Sequence, residues 1–475
     1  MAVTIKDIVQ NQKNELAAAK KKLYIERDGI SLDFKSSLIN VVIGPRRAGK
    51  SCFCMHSLLK EDNFGYVNFD DESLIKTEDY DEIIVAIKSV YSDPKILFFD
   101  EIQNLPRWEL FVNKLQRRGY KIVLTGSNAN LLSTELSTHL TGRYNPVYVF
   151  PFGLKEIING QSSTEAETQE YLDQFLHQGG YPEPVLSGLD IKNYLGTLLE
   201  SIIYKDIIKR FKLRYSKIIE ELAYYLLSNV SSEYSSRNIA KTLEIKSKNT
   251  IARYIDYLEE TLILFTLPKY SFKVKDQIQS NKKIYSFDNG FIAAKGFSIS
   301  RDSGKLLENT IASYFKKCEY EGMFNIFFWK SENKHEVDFV LTKANKVVAL
   351  VQSCYDLGNK ATEEREIKGL LGASKALGCN NLFIISLNKA VDFETVVGNM
   401  KYKITYLKAR DLLKEGYEGV NKYILKKNDE DQYLGELAAK REKSSKERIS
   451  HSEMKKDLEA PSEELKKVRT KIAKL

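Results

Sequence analysis

A chain of 475 residues is too long for one ordinary hydrophobic core, which points to roughly two to four domains. Its 43% hydrophobic content, with 23 Phe and 27 Tyr, gives ample material for burial, yet no apolar run approaches the roughly 18–20 residues that cross a bilayer, so no membrane span is expected. The net charge of +8 is mild for this length and permits a nucleic-acid partner without requiring one.

The opening stretch, residues 1–22, has no apolar core ahead of a small-residue cleavage site. It reads as an amphipathic helix and not a secretion signal, which makes a cytoplasmic location the expectation. Cys52, Cys54, Cys318, Cys354 and Cys379 are odd in number and lack CxxC spacing, so reduced thiols are expected. The five histidines are equally dispersed and argue against a histidine-rich metal site.

From Leu38 to Phe150 apolar strand-like runs alternate with helical patterns: LINVVIG, a helix from Lys50, YVNFDDE, a helix near Tyr80 to Tyr91, KILFFDE, a helix over Arg107 to Arg117, YKIVLTGS, a further helix, and PVYVF. The alternation predicts an α/β domain over residues 1–150, its parallel sheet covered on both faces and its chemistry at the strand ends. Residues 151–215 turn helical and are expected to form a lid, interrupted at HQGGYPEP, where paired glycines and two prolines mark a sharp loop. KIIEELAYYLLSNV, SSRNIAKTLEI and NTIARYIDYLEETLIL, followed by the β-prone FTLPKYSFKVK, outline a winged helix-turn-helix over residues 216–288. A small α/β domain follows over 289–425, with a helix containing LLENTIASYF, strands in NIFFWKS, EVDFVLTK and KVVALVQSC, a helix from Glu363 to Leu377 and the strand NLFIISL. Residues 426–475 are almost all charge, with Met454, Leu458, Leu465, Val468, Ile472 and Leu475 near heptad spacing but interrupted by Pro461, and read as a solvated helical or disordered tail.

The segment Gly44, Pro45, Arg46, Arg47, Ala48, Gly49, Lys50, Ser51 lies between an apolar strand and a helix. Glycines at both ends let backbone N–H groups wrap closely around phosphates, and the helix offers its positive N-terminal end to the same anion. Lys50 is placed to reach the β- and γ-phosphates of ATP, and Ser51 to put its hydroxyl on Mg²⁺. KILFFDEIQ supplies the other half of such a site: a buried strand ending in Asp100, a metal carboxylate, and Glu101, a candidate base for the attacking water. Ser127 and Asn128, at the end of YKIVLTGSN, could hydrogen-bond the γ-phosphate or that water. Gly142 and Arg143 precede the last strand, where a guanidinium could reach phosphate oxygens, most plausibly in a neighbouring subunit of a homo-oligomer.

The succession GPRRAGKS, FFDEIQN, LTGSNANLLSTELSTHLTGR, VFPFGLKE and GGYPE resembles the AAA-type P-loop ATPases abundant in archaea, over roughly residues 1–410. The resemblance implies an ATPase core joined to a winged helix and a C-terminal domain. It assigns nucleotide binding to Lys50 and Ser51, the metal carboxylate to Asp100, the base to Glu101, the first sensor to Asn128 and the arginine finger to Arg143. The C-terminal part resembles a restriction-endonuclease-like fold, with Glu308, Asp338 and Gln352 matching metal-site positions. The lysine of that motif is replaced by Cys354, whose thiol supplies no fixed positive charge, and Lys368 is a possible substitute.

In the last helix of the winged-helix pattern, Ile251, Tyr254, Ile255 and Leu258 should pack inside, leaving Lys248, Asn249 and Arg253 outward. With Lys246, Lys273 and Lys275 these could meet the phosphates of double-stranded DNA, opposed by Glu259 and Glu260. The leading expectation is an ATP-hydrolysing switch or motor; a DNA-associated regulatory or defence protein with ATP as ligand, and a metal-dependent nuclease, are the alternatives.

Overall fold

The computed structural model describes residues 4–19, 23–61, 63–126, 140, 142–159, 164–214, 216–296, 302–332, 335–358, 360–390, 392–397 and 400–425. Residues 1–421 form one compact unit; residues 422–475 form a second, described only at residues 422–425. The heptad-like positions of the tail therefore lie outside the described residues. Among the described residues no helix is long and apolar enough to cross a membrane.

Five parallel strands, β1 (Ile39–Ile43), β2 (Phe64–Asn68), β3 (Ile96–Asp100), β4 (Lys121–Gly126) and β5 (Tyr144–Tyr148), form a sheet of order β2-β3-β4-β1-β5. Every residue of β1 and of β3 is buried, as apolar runs covered on both faces require. With β4 between them, β1 and β3 deliver their carboxyl ends to the same edge, where an α/β sheet leaves its crevice. Helix Ile5–Ala19 buries Ile8, Val9 and Leu16 and caps β2 through Gln12, whose side chain both donates to Asn68 O (2.9 Å) and accepts from Asn68 N (3.0 Å). The helix read at the N-terminus is thus part of the core.

The described residues of 154–208 are helical apart from short connections, in keeping with the helical pattern of the sequence. Helix Glu165–Gln178 opens with a Thr164/Glu167 capping box and ends at Gly179, whose φ of +74° suits glycine. The paired glycines are a junction of three segments. Phe152 N donates to Gly180 O (2.8 Å), and the Asp288 carboxylate accepts from Gly180 N (2.7 Å) and Gly290 N (2.8 Å). A Cβ on Gly180 would stand 2.1 Å from Phe152 O, so no side chain fits there. Tyr181 then buries its ring edge-on against Phe291, centroids 5.1 Å apart.

Helices Ser216–Leu227, Ser236–Thr242 and Lys248–Glu260 are followed by a small antiparallel sheet, β6 (Ser232–Tyr234), β8 (Lys282–Ser286) and β7 (Leu264–Leu267) in that order. Ile251, Tyr254, Ile255 and Leu258 are buried, and Lys246, Lys248, Asn249 and Arg253 are exposed, as the periodicity required. Two expectations need correction. Strand character stops at Leu267; residues 268–270 are drawn onto the neighbouring sheet, where Tyr270 N donates to Phe328 O (2.6 Å), and Val274–Gln279 is a short helix. Nor do Glu259 and Glu260 oppose the exposed cations, because Glu259 is committed inward to Thr266 N (2.7 Å) and Glu260 lies 3.4 Å from Arg210. One apolar cluster runs from Leu195, Leu199 and Ile203 through Leu222 and Leu226 to Ile255, Leu258, Phe291 and Leu306. The helices of residues 191–208 and the three-helix segment therefore share a core.

The remaining sheet has six strands, β9 (Asn325–Lys330), β10 (Glu336–Lys343), β11 (Lys346–Cys354), β12 (Leu382–Ser386), β13 (Phe393–Val397) and β14 (Met400–Lys408), in the order β13-β14-β12-β11-β10-β9. The sequence reading missed β13 and β14, although Tyr402, Ile404 and Tyr406 alternate with polar residues and are buried. Gly180→Ala should lower the thermal unfolding midpoint by the equivalent of about 3 kcal/mol or more, as overpacking against backbone does. Gly188→Ala, left-handed but in open space, should cost only about 1 kcal/mol. Equal midpoints for the two variants would show that the junction is not tight.

Candidate functional site

β1 ends at Ile43 and the chain turns at once into residues 44–49. A Cβ on Gly44 would lie 1.9 Å from Val149 O, and Gly49 has φ +93°, so both positions demand glycine. Helix Lys50–Leu58 starts directly after the loop and aims its unpaired N–H groups at it. Lys50 is buried, its Nζ donating to Gly44 O and Pro45 O, both at 3.1 Å. Burial pushes its pKa below the ordinary lysine value, with Glu101 and Asp100 pulling the other way. Ser51 Oγ donates to Asp100 Oδ1 at 2.9 Å. The loop hydroxyl and the carboxylate at the end of β3 are therefore in contact.

Asp100 is buried, and burial, then the neighbouring Glu101 charge, raises its carboxyl to about 6. Thr125 Oγ1 donates to Oδ1 and Tyr66 Oη to Oδ2 (3.3 Å). Glu101 adopts a left-handed φ of +51°, its N–H donating to Thr125 Oγ1 (3.1 Å) and its carboxylate accepting from Gln103 Nε2. Such backbone strain in a non-glycine residue costs on the order of 1 kcal/mol and is characteristic of functional positions. Sequence reasoning missed Thr125 and Tyr66; a hydroxyl inside each flanking strand, one or two residues from its carboxyl end, was the available signal. Ser127 and Asn128 lie outside the described residues. Arg143 is exposed at the start of β5, an edge strand, with its backbone carbonyl accepting from Ile39 N (3.0 Å) and no ion pair to its side chain among the described residues.

Three arginines tie the loop to its surroundings, Arg27 from upstream and Arg46 and Arg47 from the loop itself. Arg27 is buried, donating to Phe150 O (2.9 Å) and to Ala48 O and stacking its guanidinium over Phe152 at 4.2 Å. Arg46 grips Asp206 with two parallel hydrogen bonds of 3.1 Å, and Arg47 meets Glu183 of the GGYPEP segment at 3.0 Å. Arg27 stands far upstream of the loop, so no local pattern marked it.

Comparison with known proteins gives the family. Residues 36–158 match the family model described as an AAA domain, and residues 169–301 and 303–397 match two domains of unknown function, DUF8612 and DUF4143. The uncharacterized protein MJ1544 of Methanocaldococcus jannaschii is 34% identical over 398 residues, 79% of this chain and 88% of that one. The chain belongs to the same protein family as MJ1544. An uncharacterized protein of Haemophilus influenzae is 28% identical over 356 residues, 70% of this chain and 86% of its own length. Among solved structures, the Walker-type ATPase PABY2304 of Pyrococcus abyssi is similar with a TM-score of 0.36 and 15% identity, over 63% of this chain and 97% of that one. The replication initiator DnaA bound to AMPPCP and single-stranded DNA is similar at 0.26 and 16%, over 54% and 92%.

A second cluster of charge lies where β8 meets the six-stranded sheet. Glu308, Asp338 and Gln352 do come together, lining a cleft of about 600 Å³. Into it projects a lysine the sequence reading missed: Lys283 Nζ lies 3.0 Å from Glu308, 3.0 Å from Asp338 and 2.6 Å from Glu336. Burial works against its charge, but Glu308 and the neighbouring acidic groups outweigh it and hold the ammonium well above its usual range. Lys368 is no substitute, since it is exposed on its helix 3.9 Å from Glu364. Gln352 instead braces the strands, accepting from Asp338 N (3.0 Å) and donating to Glu366, while Cys354 Sγ contacts Asp356 O (3.4 Å). The carboxylates thus already share a cation belonging to the chain, contributed from 25 residues before Glu308 in sequence.

Asp100 yields a pH test. Its carboxyl titrates at about 6 in the fold against an ordinary 3.8, so the cost of ionising it is absent below the ordinary value, grows with rising pH and is complete above about 6. Asp100→Asn keeps an acceptor for Ser51 and Thr125 and a donor for Tyr66. It should raise the thermal midpoint of the metal-free protein near neutral pH by the equivalent of ~1–3 kcal/mol and leave it unchanged near pH ~4. No gain at neutral pH would mean that the carboxylate is comfortable in its site.

Proposed function

We propose that the chain binds ATP with Mg²⁺ at residues 44–51 and hydrolyses it to ADP and phosphate. The observation that carries this reading is the 2.9 Å contact between Ser51 Oγ and the buried Asp100 carboxylate, set beside a glycine-bounded loop at a helix N-terminus. The AAA-domain match over residues 36–158 covers all of these groups.

Backbone N–H groups of Arg46, Arg47, Ala48, Gly49 and Lys50 receive the phosphates. Lys50 exchanges the carbonyls of Gly44 and Pro45 for the β- and γ-phosphate oxygens, a better match for a desolvated ammonium. Ser51 and Asp100 form an all-oxygen donor pair suited to Mg²⁺, which when bound neutralises charge on the phosphate oxygens. Glu101 accepts the proton of the attacking water as its oxygen bonds to the γ-phosphorus and the bond to the departing ADP oxygen breaks. Asn128 is assigned to the γ-phosphate or the water, and Arg143, exposed on the edge strand, to a nucleotide in a neighbouring copy of the chain.

In this reading residues 1–150 are the ATPase core, 151–215 the lid, 216–288 a winged helix, 289–425 a small nuclease-like α/β domain and 426–475 a charged tail. The apolar cluster shared by the lid and the three-helix segment supports passage of lid movement onward to the winged helix. Lys50→Ala and Glu101→Gln should each reduce steady-state ATP turnover by on the order of a hundredfold or more, with Glu101→Gln still binding nucleotide. Parental turnover in both variants would refute the assignment.

A companion reading is contact with duplex DNA through the winged helix. It is favoured by the exposed Lys246, Lys248 and Arg253 and by the engagement of Glu259 with Thr266 and of Glu260 with Arg210, which turns these two carboxylates away from them; the exposed Glu244 and Asp256 remain nearby in sequence. Duplex affinity should fall steeply with salt, and Lys248→Glu with Arg253→Glu should flatten that slope by about two. A salt-insensitive affinity, or a slope the double variant leaves alone, would remove DNA from the account.

A further inference from the structure

The lid reaches the phosphate loop through charge. Asp206 is buried on the π-helical turn Ile203–Ile208, and its carboxylate receives Arg46 Nε and Nη2, each at 3.1 Å. Turns of this kind are rare and recur at functional positions. Arg46 stands within electrostatic reach of Glu101 and Asp70, and Lys50 feels Arg46, Asp206, Asp100 and Glu101. Asp206 therefore presents a negative charge to the mouth of a cradle shaped for anions, held there by a guanidinium that belongs to the cradle itself. The Arg47–Glu183 pair is a second, exposed tie between the same two segments, and Glu183 also accepts from Tyr194 Oη.

A triphosphate entering the cradle changes both halves of the Arg46–Asp206 pair in the same direction. Its terminal phosphate attracts Arg46 and repels Asp206; a diphosphate, lacking that group, leaves the pair largely undisturbed. Resting on the ATP-site reading above, we propose that Asp206, acting through Arg46, is the residue by which this protein discriminates tri- from diphosphate. The fork closes the lid onto the loop with ADP or no nucleotide, and the γ-phosphate releases it. Because helix Ile191–Ile202 leads directly into the π-turn and packs in the cluster shared with the three-helix segment, the release is delivered to that segment. Asp206 is a discriminating residue and not a catalytic one, since it touches Arg46 and not the reacting atoms.

The test is calorimetry of the full chain with Mg²⁺ and either a slowly hydrolysed ATP analogue or ADP, for the parent, Asp206→Asn and Arg46→Gln. Asp206→Asn removes the repelling charge and frees Arg46, so the ratio of triphosphate to ADP affinity should rise about tenfold. Arg46→Gln should lower that ratio by a similar factor, and in Asp206→Asn the affinity for ADP should change little. The opposite signs guard against a general loss of fold, which would weaken both ligands in both variants. If the parent binds both nucleotides and neither variant moves the ratio, the latch is wrong and the site stands; if the parent binds neither, the site itself is wrong.

Discussion

The structure depends on keeping two opposite charges, Lys50 and Asp100, inside a sheet that has no water to solvate them. Strands β1 and β3 are buried along their whole length and end side by side across β4, so the loop and the carboxylate must share one dry edge. Burial drives both groups toward neutrality: Lys50 downward, Asp100 upward to about 6. The fold answers with hydroxyls from Ser51, Thr125 and Tyr66 and with the loop carbonyls, which partly replace water. What remains is an electrostatic deficit that a metal and a polyphosphate are suited to relieve. Burying two such charges makes this edge less stable than an apolar one of equal size.

Around this edge the chain builds contacts that mostly span more than a hundred residues. Arg27 bonds the carbonyls of Phe150 and Ala48; Asp288 holds the glycine pair against Phe152; Asp206 and Glu183 reach the loop arginines. These are specific polar contacts on small or buried groups, so they define a position sharply. Behind them lies a continuous apolar cluster from the lid to Leu306, and Lys283 then ties β8 to the carboxylates of the six-stranded sheet. Ile207 and Ile208, beside Asp206 in the chain, and Leu306, two residues before Glu308, belong to that one cluster.

Lys283 also changes the meaning of the C-terminal acidic cluster. Three carboxylates at 2.6–3.0 Å from one ammonium share its single positive charge, and removing that ammonium would leave them partly buried and mutually repulsive. The arrangement is a tie between two sheets as much as it is a pocket. Glu308, Asp338 and Gln352 line one cleft, yet the cation they face comes from another segment.

The sequence by itself determined the elements whose signals are local: the buried strands β1 and β3, the glycine-bounded loop, the Asp100–Glu101 pair, and the inward face of helix Lys248–Glu260, because strand burial, left-handed turns and helical periodicity are written in neighbouring residues. Only the tertiary structure decided which distant side chains complete those elements. Arg27, Thr125, Asp206 and Lys283 each act on a partner far away in the chain, and a charged or hydroxyl side chain carries no periodicity that names its partner. The same reason explains residues 268–270, whose strand propensity was satisfied by β9 rather than by a wing: backbone hydrogen bonding is indifferent to sequence, and the nearer sheet edge takes the strand.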